Sequence, residues 1–277
     1  MRQYDFTFSR RLPTFLAAGF LTIFAQSASA PAGLTHAQKE EFLLKAKVVS
    51  VKPAAKGITN TVRATLSDGQ LTHDVSIQRI DETSHNFETN MGMERIFRDS
   101  WEFNVAAYKL DRLLGLNMIP ATVERTYQGS HAAFTWWVDD VMMDEGERQS
   151  KKLQSPDKQT WSDQMAIVNV FDQLIYNIDR NVGNLLYDKN WQLWMIDHTR
   201  AFRSNPDLMD AKVLKRCDSA LLEKMKQLDA ATLKKEIGAY DVGSDQIKGL
   251  LARRDKIVKI FDQKGPSALY TTPRPPE

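Results

Sequence analysis

The chain has 277 residues, of which 42% are hydrophobic and 26% are charged, a globular composition that excludes disordered, collagen-like and coiled-coil classes. Its one cysteine, Cys217, excludes an intramolecular disulfide framework and a CxxC metal site. The net charge is only +2, and the excess lies in residues 1–30, so the remainder is neutral and is not expected to bind nucleic acid, which requires uncompensated lysine and arginine.

Residues 1–30 have the order of a secretory signal peptide. Arg10 and Arg11 precede the apolar run 12–25, and Ala28-Ser29-Ala30 offers a small-residue cleavage site. The apolar run is shorter than the roughly 20 residues that a membrane-spanning helix needs, although an uncleaved anchor remains the alternative. We therefore expect an exported protein, periplasmic or secreted, with no membrane span once the signal is removed.

The first half of the remaining chain has the pattern of an antiparallel sheet with one helix. Residues 81–98 show no strong period and predict a loop with one helical turn. Helical spacing over 101–114, closed by Gly115, predicts a helix. Alternating residues between Gly- or Pro-containing breaks predict five strands, at 45–52, 61–66, 73–80, 122–127 and 132–138.

The second half is mainly helical and carries one small hairpin. Residues 140–158 are polar and charged and predict a linker or a surface helix. An amphipathic helix is predicted over 161–178, hairpin strands over 185–187 and 193–196, and further helices over 207–263.

Strands followed by helices predict an α+β fold with two lobes. The predicted divisions are the signal peptide 1–30, an N-terminal sheet lobe 31–139, a C-terminal helical lobe 140–264 that contains the hairpin, and a tail 265–277. The tail holds four of the ten prolines and is expected to fray.

Three oxygen-bearing side chains are expected to converge at one end of the hairpin. Asp179 lies in the turn after the predicted helix, Asn184 lies at the start of the first hairpin strand, and Asp197 follows the second strand. Carboxylate and amide oxygens suit Mg²⁺ or Mn²⁺. Phosphoryl transfer needs an aspartate near the attacking hydroxyl, together with an asparagine and a second aspartate for the metal that bridges nucleotide phosphates.

The sequence Asp-Arg-x-x-Gly-Asn-Leu over 179–185, followed by a strand and Ile196-Asp197, resembles the catalytic and metal-binding loops of the protein-kinase-like superfamily. It is most similar to the branch of phosphatidylinositol kinases, HipA-like kinases and Golgi casein kinases with the four-jointed proteins. The stretch 104–115, followed by Ile119-Pro120, resembles the helix that leads into the fourth strand of their N-terminal lobe. The resemblance covers about residues 40–260 and implies a bilobal kinase-like fold.

The resemblance also implies roles for individual residues. Asp179 would be the catalytic residue that orients the acceptor, and Asn184 and Asp197 would be the metal ligands for Mg or Mn. The partner would be ATP or another nucleotide, with Trp137 and Asp139 in the adenine-binding linker. Core packing is the alternative for Trp137. We expect Arg180 to be structural, bridging to a carboxylate or carbonyl, and His198 to be a packed histidine.

Two positions depart from the kinase pattern. The third-strand lysine that binds phosphates and the helix glutamate that orients it are replaced by Gln78 and Asn104. Glutamine supplies no positive charge, and asparagine cannot form an ion pair. Lys52, Lys56 or Arg63, from the first hairpin, are the candidates for reaching the phosphates instead.

The first hypothesis is an exported, atypical kinase that transfers a phosphoryl group from a nucleotide to an unknown acceptor, either a protein or a small molecule. Two alternatives stay open. Gln78 and Asn104 favour a pseudokinase that binds nucleotide, metal or a protein partner without fast turnover. A metal-dependent hydrolase would use the same oxygen cluster.

We predict that export depends on residues 1–30 because their charged, apolar and small-residue regions stand in signal order. N-terminal sequencing of exported protein should begin at or near Pro31. A mature chain that begins at Met1 and stays in the cytoplasm would contradict this prediction.

Overall fold

The structure is a computed structural model that describes residues 33–53, 61–89 and 92–272. The predictions for the signal peptide, for Lys56 in the first turn and for the end of the tail at 273–277 lie outside the described residues. Within the described ranges, no helix is long and apolar enough to cross a membrane.

The N-terminal half is built around a five-stranded antiparallel sheet in the order β1-β2-β3-β7-β6, and β4 and β5 pair with each other as a separate hairpin. Its elements are α1 (His36–Lys45), β1 (Lys47–Pro53), β2 (Val62–Ser67), β3 (Thr72–Gln78), β4 (Asp81–Thr89), β5 (Gly92–Ser100), α2 (Glu102–Leu114), β6 (Thr122–Tyr127) and β7 (Ser130–Trp136).

The C-terminal half is mainly helical, with a three-stranded sheet in the order β10-β9-β8 and a short parallel pair, β11 with β12. Its elements are β8 (Val141–Asp144), α3 (Glu145–Ser150), α4 (Lys158–Ile175), β9 (Leu185–Asp188), β10 (Leu193–Met195), β11 (Cys217–Asp218), α5 (Ser219–Gln227), α6 (Ala230–Ile237), α7 (Ser244–Lys264) and β12 (Leu269–Tyr270).

The α+β architecture and the main sheet confirm the predictions, but three segments differ. Residues 81–98 were predicted as a loop and instead lie in the β4–β5 hairpin. Residues 81–83 and 85 are exposed, so this first part of β4 has no buried side that would impose an alternating apolar pattern. The segment 140–158 contains strand β8, which has only four residues. Helix α1 was not predicted, and only two of its ten residues are buried. Each element has too few buried residues to produce a recognisable hydrophobic period in the sequence.

The turn after α2 fixes the position of the loop 115–121, which leads into β6. Gly115 ends the helix in the left-handed region, at φ 63°. The buried Asp111 carboxylate accepts hydrogen bonds from the backbone N–H groups of Asn117 and Met118, at 3.1 and 3.0 Å. Burial raises the pKa of Asp111 to about 7, against these bonds, which lower it. The Met118 carbonyl in turn accepts a bond from the backbone of Met195 in β10, which ties this loop to the hairpin.

One contiguous apolar core extends from Phe42 in α1 to Phe261 in α7. Helices α1 and α2 both pack on β6 and β7, and α4 packs on α7 and β10. Because the core is shared, the sheet and the helical half are held against each other by apolar contact.

We predict that Gly115→Ala lowers the free energy of unfolding by about 1–2 kcal/mol, because an L-residue pays a steric penalty in the left-handed region. Gly115→Asn is the matched control, since asparagine tolerates the left-handed region better than alanine does. The control should lose clearly less stability than Gly115→Ala in urea denaturation. Equal losses in the two variants would contradict the assignment of strain to Gly115.

Candidate functional site

A cleft of about 820 Å³ lies between the five-stranded sheet and the β8–β9–β10 sheet. Strands β3, β6 and β7, together with helix α2, contribute lining residues from one side. Strands β8, β9 and β10 and the segments 179–184 and 196–200 contribute the other side. The cleft therefore collects residues that are far apart in the sequence.

The turn that carries Asp179 is shaped by asparagine side chains. Helix α4 ends at Tyr176 in the left-handed region, at φ 53°. The Asn177 Oδ1 atom then accepts a hydrogen bond from the backbone of Asp179 at 3.2 Å, and the Asn181 Oδ1 atom accepts one from Gly183 at 2.9 Å. Such Asx turns replace helical hydrogen bonds, so the chain turns sharply and leaves the Asp179 carboxylate at the cleft.

Arg180 binds the turn to both strands of the hairpin. Its guanidinium forms two bonds to the Asp172 carboxylate in α4, at 2.9 and 3.0 Å. It also donates to the backbone carbonyls of Asn184, at 3.1 Å, and Ile196, at 2.8 Å. Asn184 is itself a predicted site residue and Ile196 precedes another, Asp197, so one largely buried side chain sets the spacing between them. The expectation that Arg180 bridges a carboxylate and carbonyls is confirmed.

His198 lies beside this arginine, with its Nε2 atom 2.9 Å from the guanidinium, and is fully surrounded by protein. Burial and then the charge of Arg180 hold the pKa of His198 well below its usual value, so the ring is neutral. Its edge contact with Phe171 matches the expected packing role.

Asp197 follows β10 in the left-handed region, at φ 56°, which aspartate tolerates better than most residues. Its Oδ1 atom accepts a hydrogen bond from Thr199 at 3.2 Å. Burial raises the pKa of Asp197 above its ordinary value, and the carboxylates of Asp179 and Asp99 add to the increase. Hydrogen bonds from Thr199 and Gln78 act in the opposite direction. A cation at this point would relieve the concentration of negative charge.

The buried Gln78 and Asn104 side chains form a directed chain of hydrogen bonds that reaches Asp197. The backbone N–H of His198 donates to Asn104 Oδ1 at 2.7 Å. Asn104 Nδ2 donates to Gln78 Oε1 at 2.6 Å. This bond uses the glutamine carbonyl and leaves its amino group as the donor to Asp197. Two neutral amides thus bind each other and orient a carboxylate without adding charge.

Arg200 is a cleft residue that the sequence analysis missed. Its Nε atom donates to Asp99 Oδ2 at 2.6 Å, and its Nη1 atom lies 3.2 Å from Asp179 Oδ2. Asp99 is near the end of β5, directly after the segment 81–98 that was predicted to be a loop, so its approach to Arg200 could not be foreseen. The available signal was the position of Arg200, three residues after Asp197 in the same segment.

The structure brings six of the predicted site residues to this cleft. Lys56 lies outside the described residues. Lys52 is exposed on the edge strand β1 and is not part of the lining. The six that line the cleft are Asp179, Asn184, Asp197, Gln78, Asn104 and Trp137.

Asp139 lies beside the cleft rather than in its lining. Its carboxylate accepts hydrogen bonds from His73 Nε2 at 2.9 Å and from Trp136 Nε1 at 3.2 Å. Burial alone would raise the pKa of Asp139, but these bonds and the charge of Lys39 lower it. Arg63, a further candidate for the phosphates, pairs with Asp74 and stacks on Trp137 instead.

The fold was compared with known proteins. No family model matches the chain, and no curated protein sequence is significantly similar. Among solved structures, a hydra Fam20 with sugar superposes with a TM-score of 0.63 at 16% identity, covering 85% of this chain and 92% of that chain. A Golgi casein kinase with Mn/ADP bound superposes with a TM-score of 0.55 at 13% identity, covering 85% and 78%.

The Helicobacter pylori proinflammatory kinase CtkA superposes with a TM-score of 0.50 at 11% identity, covering 78% of this chain and 92% of that chain. This chain has a protein-kinase-like fold. At these identities the likeness establishes the fold and leaves the chemistry to be argued from the cleft itself.

The kinase-like cleft is acidic. Asp144, Glu147, Asp179 and Asp197 line it, and among the described lining residues Arg200 is the one cationic side chain. A polyphosphate would therefore meet repulsion at most of the polar wall, and a bound divalent cation would reverse the sign of the interaction.

The oxygen atoms of Asn184 and Asp197 suit a divalent cation whose remaining coordination positions are filled by a bound ligand. Asn184 Nδ2 donates to the Asp179 carbonyl at 3.2 Å, which leaves the Asn184 Oδ1 atom as its donor to a cation. Across the described residues, no three His, Cys, Asp or Glu side chains form a metal-holding group by themselves. Mg²⁺ typically takes one or two protein carboxylates, and phosphate oxygens complete its shell. Asn184 and Asp197 match that pattern.

The remainder of the kinase-like cleft is apolar and suits a flat ring. This wall is formed from β7, the loop before β6, and the small sheet, and it includes Ile119, Pro120, Val138, Met143, Leu186 and Met195. Apolar walls with a few convergent polar groups are typical of cofactor pockets.

We predict that Arg180→Gln lowers the free energy of unfolding by about 3 kcal/mol or more, because the buried Asp172 carboxylate loses its ion-pair partner and keeps only the neutral Asn177 amide. Lys248→Gln is the control. Lys248 also pairs with an aspartate, Asp245, but both side chains of that pair are exposed. The control should cost no more than about 1 kcal/mol. Denaturant unfolding measures both variants, and a loss for Arg180→Gln no larger than that of the control would contradict the central role of Arg180.

Proposed function

We propose that the chain is a kinase-like phosphotransferase that moves a phosphoryl group from a nucleotide to an acceptor, with Mg²⁺ or Mn²⁺. The observation that carries the proposal is the convergence of Asp179, Asn184 and Asp197 at one end of an apolar-walled cleft in a kinase-like fold. On this account the cleft separates a sheet lobe, residues 31–139, from a helical lobe, residues 140–264.

Asp179 would act on the acceptor. Its carboxylate is 38% exposed at the mouth of the cleft and lies on a turn that its neighbours hold rigidly. A carboxylate in this position can orient a hydroxyl group and accept its proton as the phosphoryl group is transferred. The Asp179 carbonyl, which binds Asn184, keeps the turn and the proposed metal ligand in register.

Asn184 Oδ1 and the Asp197 carboxylate would hold the cation. The excess of carboxylates around Asp197 supports this assignment, because it makes the site attractive to a cation before any nucleotide arrives. When bound, the metal ion supplies positive charge that bridges and neutralises nucleotide phosphates. The Golgi casein kinase neighbour with Mn/ADP bound supports the same pairing of metal and nucleotide.

A second candidate function is favoured by one observation. The neutral Gln78–Asn104 pair gives the cleft no charged strand residue for phosphates. A chain of this kind could bind a metal–nucleotide complex as a pseudokinase without fast turnover. The two functions differ in whether bound nucleotide is consumed, which phosphate release or transfer to an acceptor measures directly.

We also propose that the chain acts after export. The order of residues 1–30 supports this, and one of the structural neighbours is by name a Golgi enzyme.

We predict that Asp197→Asn weakens Mn²⁺-dependent ADP binding at least tenfold, because it removes a charge that touches the cation. Asp179→Asn should leave that binding within about threefold of wild type and abolish turnover, because Asp179 would contact the acceptor. Calorimetry with ADP and Mn²⁺ measures binding, and transfer of labelled phosphate measures turnover.

Asp207→Asn, on an exposed aspartate that pairs with Lys256, is the control for the loss of one negative charge and should alter neither measurement. Equal losses of binding in the Asp197 and Asp179 variants, or no loss in either, would count against the proposed roles. Normal binding with no turnover in wild type would select the pseudokinase.

A further inference from the structure

We propose that Arg200 is the phosphate-binding cation of the cleft and takes the place of the absent strand lysine. This inference rests on the proposed function, since it assigns a contact to the nucleotide. It replaces the earlier expectation for Lys52, which lies outside the lining, whereas Arg200 lies within it; Lys56 is outside the described residues.

The charge distribution points to Arg200. Four carboxylates line the cleft and Arg200 is the one cation among the described lining residues, so it is the single protein charge there that attracts phosphate. Gln78 lies where the kinase pattern has a lysine, but its donor group is directed to Asp197. A guanidinium forms two parallel hydrogen bonds with phosphate oxygens, so one arginine can hold a phosphate group firmly.

The position of Arg200 is fixed by contacts with residues of β5. Its Nε atom binds Asp99 at 2.6 Å, and Asp99 is only 1% exposed. The backbone is fixed as well, because the Ser100 N–H donates to the Thr199 carbonyl at 2.9 Å. The Nε atom thus binds Asp99, which is not a lining residue, while the Nη1 atom lies 3.2 Å from Asp179 Oδ2 in the cleft. A guanidinium held in this way is already oriented when phosphate arrives.

The contact between Arg200 and Asp179 is weak enough for a phosphate group to replace Asp179 as the partner of Arg200. Both side chains are 38% exposed and the separation is 3.2 Å, so their attraction is screened by water and weak. A phosphate group carries more negative charge than Asp179 and accepts bidentate bonds, so it would displace Asp179 from the Nη1 atom. That exchange would release the Asp179 carboxylate to the acceptor at the moment when nucleotide is bound.

The test compares Arg200→Gln with wild type in two titrations, Mn²⁺ alone and tripolyphosphate in the presence of saturating Mn²⁺. Tripolyphosphate carries the phosphates without a base. The variant should bind tripolyphosphate about 10- to 100-fold more weakly. It should bind Mn²⁺ as tightly as wild type or more tightly, because a nearby positive charge has been removed. A merely structural arginine would weaken both.

Arg216→Gln is the matched control, since it is an arginine of 35% exposure paired with an aspartate away from the cleft, and both titrations should match wild type. If thermal denaturation shows that Arg200→Gln is unfolded, Arg200→Lys is used. Lysine keeps the charge and loses the two-pronged geometry, so tripolyphosphate should bind about three- to tenfold more weakly with Mn²⁺ binding unchanged.

Unchanged tripolyphosphate binding in the Arg200 variant, or a parallel loss of both ligands, would overturn the assignment of Arg200 alone. If wild type binds neither tripolyphosphate nor ATP with Mn²⁺, the proposed function fails, and the inference fails with it.

Discussion

The site depends on one largely buried guanidinium. Arg180 joins α4, through Asp172, to the residue before β9 and the residue after β10, through the carbonyls of Asn184 and Ile196. The two attachments to the hairpin lie at or next to a proposed functional residue. The planar, forked shape of the arginine side chain allows one residue to hold all of them at fixed distances, which a lysine could not do. The geometry of the proposed metal and acceptor positions therefore follows from a contact that touches neither ligand.

The second constraint on the site is electrostatic. In this cleft Gln78 and Asn104 form a neutral pair, which is hydrogen-bonded in turn to Asp197 and to the backbone of His198. A neutral pair avoids the cost of burying two charges. The consequence is a cleft in which carboxylates outnumber cations, so a nucleotide would depend on the divalent cation and on Arg200 for the neutralisation of its phosphates.

Much of this arrangement could be predicted from the sequence because its signals are local. The turn from Asp179 to Asn184 is short and rich in asparagine and glycine, and the hairpin that follows can place Asp197 only at one end. The β4–β5 hairpin could not be predicted, because its exposed residues show no alternation. The positions of the Arg200 and Asp139 side chains depend on partners that are distant in sequence, Asp99 and His73. A periodic pattern in the sequence does not indicate such pairings. Contacts of that kind appear only when the chain is folded.

The most direct test of the account is the position of a bound metal in crystals grown with Mn²⁺ and ADP. Anomalous diffraction identifies manganese independently of the protein coordinates. The account predicts a peak between Asn184 Oδ1 and the Asp197 carboxylate, at the roughly 2.0–2.6 Å that hard cations keep from oxygen ligands. A peak bound elsewhere on the chain, or nucleotide in the cleft with no metal beside Asp197, would contradict it.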